Sequence, residues 1–457
     1  MFNYFCAFKE KYMHKIKEKY IHKGALLPFN PAKVPFFYGW AIVALGTLGM
    51  LMSTPGQTTG VATYTDYLIE ALGLTRSQLS LAYMLGTISS SFLLTWAGKM
   101  FDRFGARIVA ASTTVGLALV LLFFSQSDHV AGAFAATTGL DPMWTAFGTI
   151  FFGFFALRFT GQGVLAMTSR NMTMKWFVQR RGLANAIGGV FVTLGFSVAP
   201  LVFDEIIQGM GWRTSYIFLA GILAIPFLAI ILIFFRDNPE ECGMIPDGGL
   251  HGEKKTDKTF EPEKQYTLKE ARKTYAYWIY AISLAMFSLT MTGFTFHVVS
   301  VFEEVGLDRS TALSIFLPSS IIGVFITTFS SWVSDRIRLK YLLMLLTTGG
   351  VLSCVGMIFL SEGIPMYILI LGNAIITSLF AVLNSLVWPR YYGRQHLGAI
   401  SGSAMSMMVF FSAIGPWLFS LSQTLVGSYM LSYIVCGVLW ALLLFGSFKA
   451  RNPQFTR

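Results

Sequence analysis

Twelve apolar runs, each long enough to cross a bilayer, divide this chain between short charged or turn-rich breaks. They fall at about 37–70, 77–98, 106–126, 143–170, 182–207 and 213–235, and after a polar stretch at about 276–303, 309–333, 340–360, 364–388, 398–423 and 428–448. A hydrocarbon core needs roughly 20 helical residues per crossing, and inside it a backbone must satisfy its own hydrogen bonds. Runs of this length therefore predict helices, and the chain reads as an all-α membrane protein with twelve transmembrane helices. Only 12% of its 457 residues are charged, about half the share of a soluble domain.

The cations that remain are unevenly placed. If the N-terminus is cytoplasmic, 30 of the 34 Lys and Arg fall on cytoplasmic segments and three, Arg76, Arg213 and Arg309, fall on outer loops. Such a bias orients membrane helices. It predicts a multi-pass protein of the plasma (inner) membrane with both termini cytoplasmic, its main macromolecular surroundings being the lipid bilayer. The formal charge of +11 is then a consequence of topology, and no nucleic acid is expected as a partner. The first apolar run is too long for a signal peptide and lacks a small-residue cleavage site, so it reads as a retained span. Cys6, Cys242, Cys354 and Cys436 have no CxxC or metal spacing and read as inert thiols. No metal and no cofactor is expected.

The chain divides into a basic tail at 1–35, a bundle at 36–235, a linker at 236–275, a second bundle at 276–449 and a short tail at 450–457. The first tail spaces Phe8, Tyr12, Ile16 and Tyr20 four apart among lysines, the pattern of a helix lying on a membrane surface. In the linker, Thr267-x-x-Glu270 reads as a capping box. The two bundles read as copies. "ALGLTRSQLSLAY" at 71–83 matches "EVGLDRSTALSIF" at 304–316, pairing Gly73 with Gly306 at an offset of 233. The same offset pairs Asp102-Arg103 with Asp335-Arg336. Later, "KWFVQRR" at 175–181 matches "RYYGRQH" at 390–396, and Gly211 pairs with Gly427, at offsets of 215 and 216. About 18 residues are therefore extra in the first copy, and "SQSDHVAGAFAATTGLDP" fits that insertion. Two pseudo-symmetric six-helix bundles follow, and duplicated bundles commonly bind their ligand at the midplane between them.

"GKMFDRFGAR" at 98–107 resembles the loop between the second and third spans that marks the major facilitator superfamily. Gly98, Asp102, Arg103, Gly105 and Arg107 fit its pattern; Met100, Phe101 and Ala106 depart from it. Asp335 and Arg336 carry a weaker copy. The resemblance implies a transporter that works by alternating access, with these residues latching the two halves on the cytoplasmic side. "TLKEARKTYAYW" and "KWFVQRRGLANAIGG" are similar to the monocarboxylate and oxalate:formate branch of that superfamily. That branch often carries a cation in the eighth or eleventh span, and this chain has none in 309–333 or 398–423.

One cation stands inside an apolar run instead. Arg158, in "FFALRFTGQG", lies near the centre of the fourth span, where an arginine facing lipid costs about 2.5–3.5 kcal/mol. Gln162 follows one turn on along the same face, and the repeat places Asn373 and Thr377 opposite them in the tenth span. Thr54, Gln57 and Tyr64 share a face of the first span, and His297 sits in the outer third of the seventh. A guanidinium offers a planar fork suited to a carboxylate. The expectation is a central site in which Arg158, Gln162, Gln57, Tyr64, His297, Asn373 and Thr377 meet a small organic anion, a monocarboxylate first of all. An arginine that binds backbone carbonyls and joins two helices is the structural counterpart of that reading. No Asp or Glu falls in the middle of any run, so protons as a coupling ion would need His297, Asp66 or the substrate's own carboxylate. A proton-coupled exporter of amphiphilic compounds is the second reading; "GFSVAPLVFDE" lacks the glycine pair usual there. A membrane receptor or scaffold is the third. Enzyme motifs are absent from the sequence.

Overall fold

The structure is a computed structural model that describes residues 27–248 and 264–455. Among the described residues, ten helices are long and apolar enough to cross a membrane. The longest, Arg76–Ser125, holds two crossings: Gly105 interrupts it with φ 79°, ψ 173°, a conformation that only glycine adopts without strain. The first crossing is missing from the ten because it is broken. Helices Gly39–Met52 and Thr58–Leu72 flank a short turn at Thr54–Gly56, where Pro55 removes a backbone donor and Gly56 has no side chain. Twelve crossings result.

The fourth span runs Pro142–Trp176, the fifth Arg181–Met210 and the sixth Trp212–Phe234. The second half repeats the series: Tyr275–Glu304, Arg309–Ser334, Leu339–Ile358, Ile364–Tyr392, Leu397–Val426 and Met430–Ser447. The fourth span opens on Asp141, whose carboxylate accepts the Met143 N–H at 2.8 Å, with Pro142 in the first turn. In its middle, Arg158–Leu165 widens into a π-helix. Such bulges accommodate one residue too many for an α-helical turn.

The repeat is visible in the backbone. Gly73 and Gly306 both have positive φ, at 63° and 80°, and so do Gly211 and Gly427, at 80° and 73°. The insertion in the first copy folds as an additional helix, Ser127–Thr138. Its Asp128 takes two hydrogen bonds from the Arg213 guanidinium, at 2.5 and 2.7 Å, which ties it to the start of the sixth span. The capping box also forms: Thr267 Oγ1 accepts the Glu270 N–H and Glu270 accepts the Thr267 N–H, opening the short helix Leu268–Ala271.

The linker is fastened at both ends. Asp247 accepts the N–H groups of Val178, Gln179 and Arg180 at 2.9–3.0 Å. Gln265 Oε1 accepts those of Arg394 and Gln395 at 2.8 and 3.1 Å. Each therefore closes the turn before the fifth or the eleventh span. Cys242, Cys354 and Cys436 are free and buried, as expected of inert thiols. Cys6 and the amphipathic pattern of the first tail lie outside the described residues.

Candidate functional site

The break in the first span and the bulge in the fourth meet backbone to backbone. A Cβ on Gly56 would lie 2.7 Å from the Gly161 Cα and 2.8 Å from the Leu157 carbonyl; a Cβ on Gly161 would lie 2.7 Å from the Gly56 Cα. Two glycines are what let the interrupted segments touch. Beside this contact Arg158, 2% exposed, reaches across to the first span. Its Nη1 donates to the Gly56 carbonyl at 3.0 Å and to Thr58 Oγ1 at 3.4 Å. Its guanidinium carbon lies 5.2 Å from the centre of the Tyr83 ring, and the Tyr83 hydroxyl is 3.1 Å from Thr58 Oγ1. An uncapped carbonyl in a helix break must be satisfied in the membrane interior, and the arginine does this.

That brace leaves polarity over. Arg158 Nε has no acceptor and Gln162 Oε1 has no donor, although both atoms are buried. Among the described residues, no carboxylate pairs with Arg158. The positive charge is bound to neutral groups only, so the junction keeps a net attraction for an anion. Gln57, half-buried at the start of the second helix segment, donates to Ser53 Oγ at 3.0 Å.

Other expected residues lie elsewhere. Tyr64 is 1% exposed, bonds Ser215 Oγ at 2.9 Å and stacks on Tyr216 at 4.0 Å. It packs against the sixth span instead of joining Arg158, because the break at 53–57 resets the helical face on which Thr54, Gln57 and Tyr64 were aligned. Asn373 turns to the ninth span, accepting from Ser353 Oγ at 2.7 Å, while Thr377, one turn on, is exposed. His297 is held in the wall of the second half, Nε2 3.0 Å from the Pro416 carbonyl and Nδ1 3.3 Å from the Tyr429 hydroxyl. Asp66 makes an exposed ion pair with Arg76 at the far surface. The structure thus brings together Arg158, Gln162 and Gln57, and leaves Tyr64, Asn373, His297 and Asp66 out of that group.

A second cation was missed. Arg170 ends the predicted fourth run, but the helix continues to Trp176, which places Arg170 within the span. Its Nη2 lies 3.8 Å from Met405 Sδ of the eleventh span, and among the described residues its Nε has no acceptor and no carboxylate pairs with it. The signal was the polar "TSRNMTMKW", with Arg170 and Lys175 but no Asp or Glu, which reads as loop by hydropathy and as helix by the absence of Gly and Pro.

At the linker side the two halves are joined by a symmetric exchange. Asp102 accepts the N–H groups of Gly398 and Ala399, both at 2.7 Å. Asp335 accepts those of Gly182 and Leu183 at 2.9 and 3.2 Å. Each carboxylate caps the first turn of a helix in the opposite half, where backbone donors are free and the helix dipole favours an anion. Gly98 has a structural part in this: a side chain there would collide with the Gly398 carbonyl. Asp335 also takes a bond from Arg390 Nη2 at 2.9 Å, and burial nevertheless pushes its carboxyl above the ordinary value. Asn171 to Ser401 at 2.7 Å, Asn185 to Ser331 at 3.1 Å and Arg394 to Glu240 at 2.6 Å complete the seal.

The other residues of the loop pattern act differently from expectation. The Arg107 N–H and Nε bind Asp237 Oδ1 and the Phe235 carbonyl at the end of the sixth span, in the same half. Gly105 is required because a side chain would strike Asp237. Arg103 lies over Phe104 and Arg336 over Trp332. These four shape the loops, and the two aspartates cross between halves.

Two six-crossing bundles, closed against each other at one end around a buried charged junction, define a carrier of small molecules. The family pattern described as Major Facilitator Superfamily matches residues 43–416, and the chain belongs to that superfamily. It is a secondary transporter and not an enzyme. It is 24% identical to the probable sulfoacetate transporter SauU of Cupriavidus necator, over 81% of this chain and 84% of that one. It is 22% identical to the oxalate:formate antiporter of Oxalobacter formigenes, over 82% and 84%. Among solved structures it resembles the human organic anion transporter MFSD10, with a TM-score of 0.59 at 15% identity, over 90% of this chain and 99% of that one.

Proposed function

We propose that this transporter carries a small organic anion, a carboxylate first of all, and that Arg158 with Gln162 and Gln57 binds it. The observation that carries the reading is a buried guanidinium that braces the broken first span and yet has no carboxylate to neutralise it. Arg170, about three turns on in the same span and beside Met405 of the other half, is the second cation on this route. The names of the two relatives, a sulfoacetate transporter and an oxalate:formate antiporter, support an anion of that size and the branch suggested by the sequence.

In this reading residues 36–235 and 276–449 are the two moving bundles, joined by the 236–275 linker, with tails at 1–35 and 450–457. The linker side is cytoplasmic, as the cation bias requires, and the membrane is the plasma (inner) membrane. Alternating access then opens and closes the exchange of Asp102 and Asp335. Exchange of one anion for another fits the site better than proton symport, because Asp66 and His297 are engaged away from Arg158. The test is a thermal-shift screen of the purified protein against carboxylates, sulfonates, phosphates, sugars and lipophilic cations, followed by uptake of the best ligand into liposomes with and without a pH gradient. Stabilisation by an anion and counterflow without a gradient are expected. Stabilisation by lipophilic cations alone would replace this reading with the exporter.

A further inference from the structure

On the linker side, away from the seam, a cavity of about 670 Å³ opens between the loop joining the eighth and ninth spans, the end of the tenth and the C-terminal tail. Five cations line it: Arg336, Arg338, Lys340, Arg390 and Arg451. No Asp or Glu does. Two of the five already have assignments nearby, Arg336 over the Trp332 ring and Arg390 on Asp335. Lys340 Nζ donates only to the Phe448 carbonyl, at 3.2 Å. Arg338 and Arg451 are exposed and make no ion pair among the described residues. So many like charges around one concavity repel one another unless a counter-anion is shared.

The rim identifies the source of that anion. Trp332, Phe448 and Phe455 are 47%, 51% and 63% exposed, and Trp332 and Phe448 adjoin the ends of the eighth and twelfth spans. Exposed aromatic rings at helix ends belong at headgroup level, and basic pockets at that level on the cytoplasmic face attract anionic lipids. We infer that this pocket binds the phosphate of an anionic phospholipid headgroup, with Arg338 and Arg451 as its free cations. The same loop carries Asp335, so a bound headgroup steadies one of the two carboxylates that close the linker side.

The test compares delipidated protein titrated with phosphatidylglycerol, phosphatidylcholine or inorganic phosphate, using melting temperature as the readout. Phosphatidylglycerol should raise it clearly more than phosphatidylcholine, and the Arg338→Gln/Arg451→Gln double variant should lose at least half of that difference while melting normally without lipid. An equal response to both lipids, or an undiminished one in the double variant, overturns the site. An equal shift from inorganic phosphate overturns the lipid as its ligand. Arg451→Glu alone, which reverses one exposed charge, should reduce the difference further than Arg451→Gln.

Discussion

The Arg158 guanidinium donates to the Gly56 carbonyl across 3.0 Å, so the single charge at the centre of the fourth span caps the break in the first. On the proposed reading, structure and ligand binding share one side chain, and different substitutions separate the two. Arg158→Lys keeps the charge but loses the planar fork. Purified Arg158→Lys should fold, melt a few degrees lower and transport the screened anion at least tenfold more slowly. Wild-type affinity in that variant would take Arg158 out of the binding site.

Gly161 gives a purely steric test. Its missing Cβ is the space in which the Gly56 backbone sits, and overpacking of this kind costs about 1–3 kcal/mol. Gly161→Ala should lower the melting temperature and the transport rate together. An unchanged melting temperature would mean that the two interruptions do not depend on contact.

Arg170 separates function from stability in the opposite sense. Its neighbour across the seam is the Met405 thioether, and among the described residues no carboxylate compensates its charge. Arg170→Met removes a desolvated cation, so stability should hold or rise while anion uptake falls strongly. Loss of stability with normal uptake would make it a packing residue.

The exchange at the linker side can be read by chemical labelling. Hydrogen bonds to a charged group contribute about 1.5–3 kcal/mol each. Asp102→Asn keeps the shape and loses the charge, so the closed population should drop about tenfold or more. In a background without the four native cysteines, Ser401→Cys should react with a polar thiol reagent much faster when Asp102 is Asn. Equal rates would show that the aspartate does not hold this side shut.

Asp128 carries a pH dependence. Its bonds with Arg213 hold its carboxyl below the ordinary value near 3.8, outweighing the effect of burial. A depressed carboxyl stabilises the fold above its unfolded pKa and loses that contribution as the pH falls through the folded one. The pair is partly exposed, so its value is modest, roughly 1 kcal/mol or less. Asp128→Asn should unfold at lower denaturant than wild type at neutral pH, with the gap closing below about pH 4. A gap that persists in acid would assign the effect to packing.

Hydropathy made the twelve crossings legible, because lipid allows few backbone solutions, and residue matches at fixed offsets made the duplication and the inserted segment so. The capping box at Thr267 and Glu270 and the buried thiols were legible for similarly local reasons. The site was legible only in part. Arg158 announced itself by its cost, and Gln162 by its spacing. Tyr64 was misplaced because a helical face cannot be carried across Thr54–Gly56, and His297 and Asn373 because pseudo-symmetry fixes depth but not the neighbour a side chain selects. Arg170 was missed because its polar surroundings hide a helix from hydropathy. The loop pattern pointed to Asp102 and Asp335 and to a helix N-terminus as their partner, but the particular N–H groups they cap are backbone, and no side-chain pattern reports which.

The Gly56 carbonyl has one further consequence. With the guanidinium gone, as in Arg158→Ala, that oxygen and the Thr58 hydroxyl would face the space it vacates, and both carry electron-rich lone pairs. On the proposed reading the guanidinium thus does two things at once, attracting an anion and masking two acceptors that would otherwise favour a cation at this junction. Its loss would leave Arg170 to hold the anion preference against them.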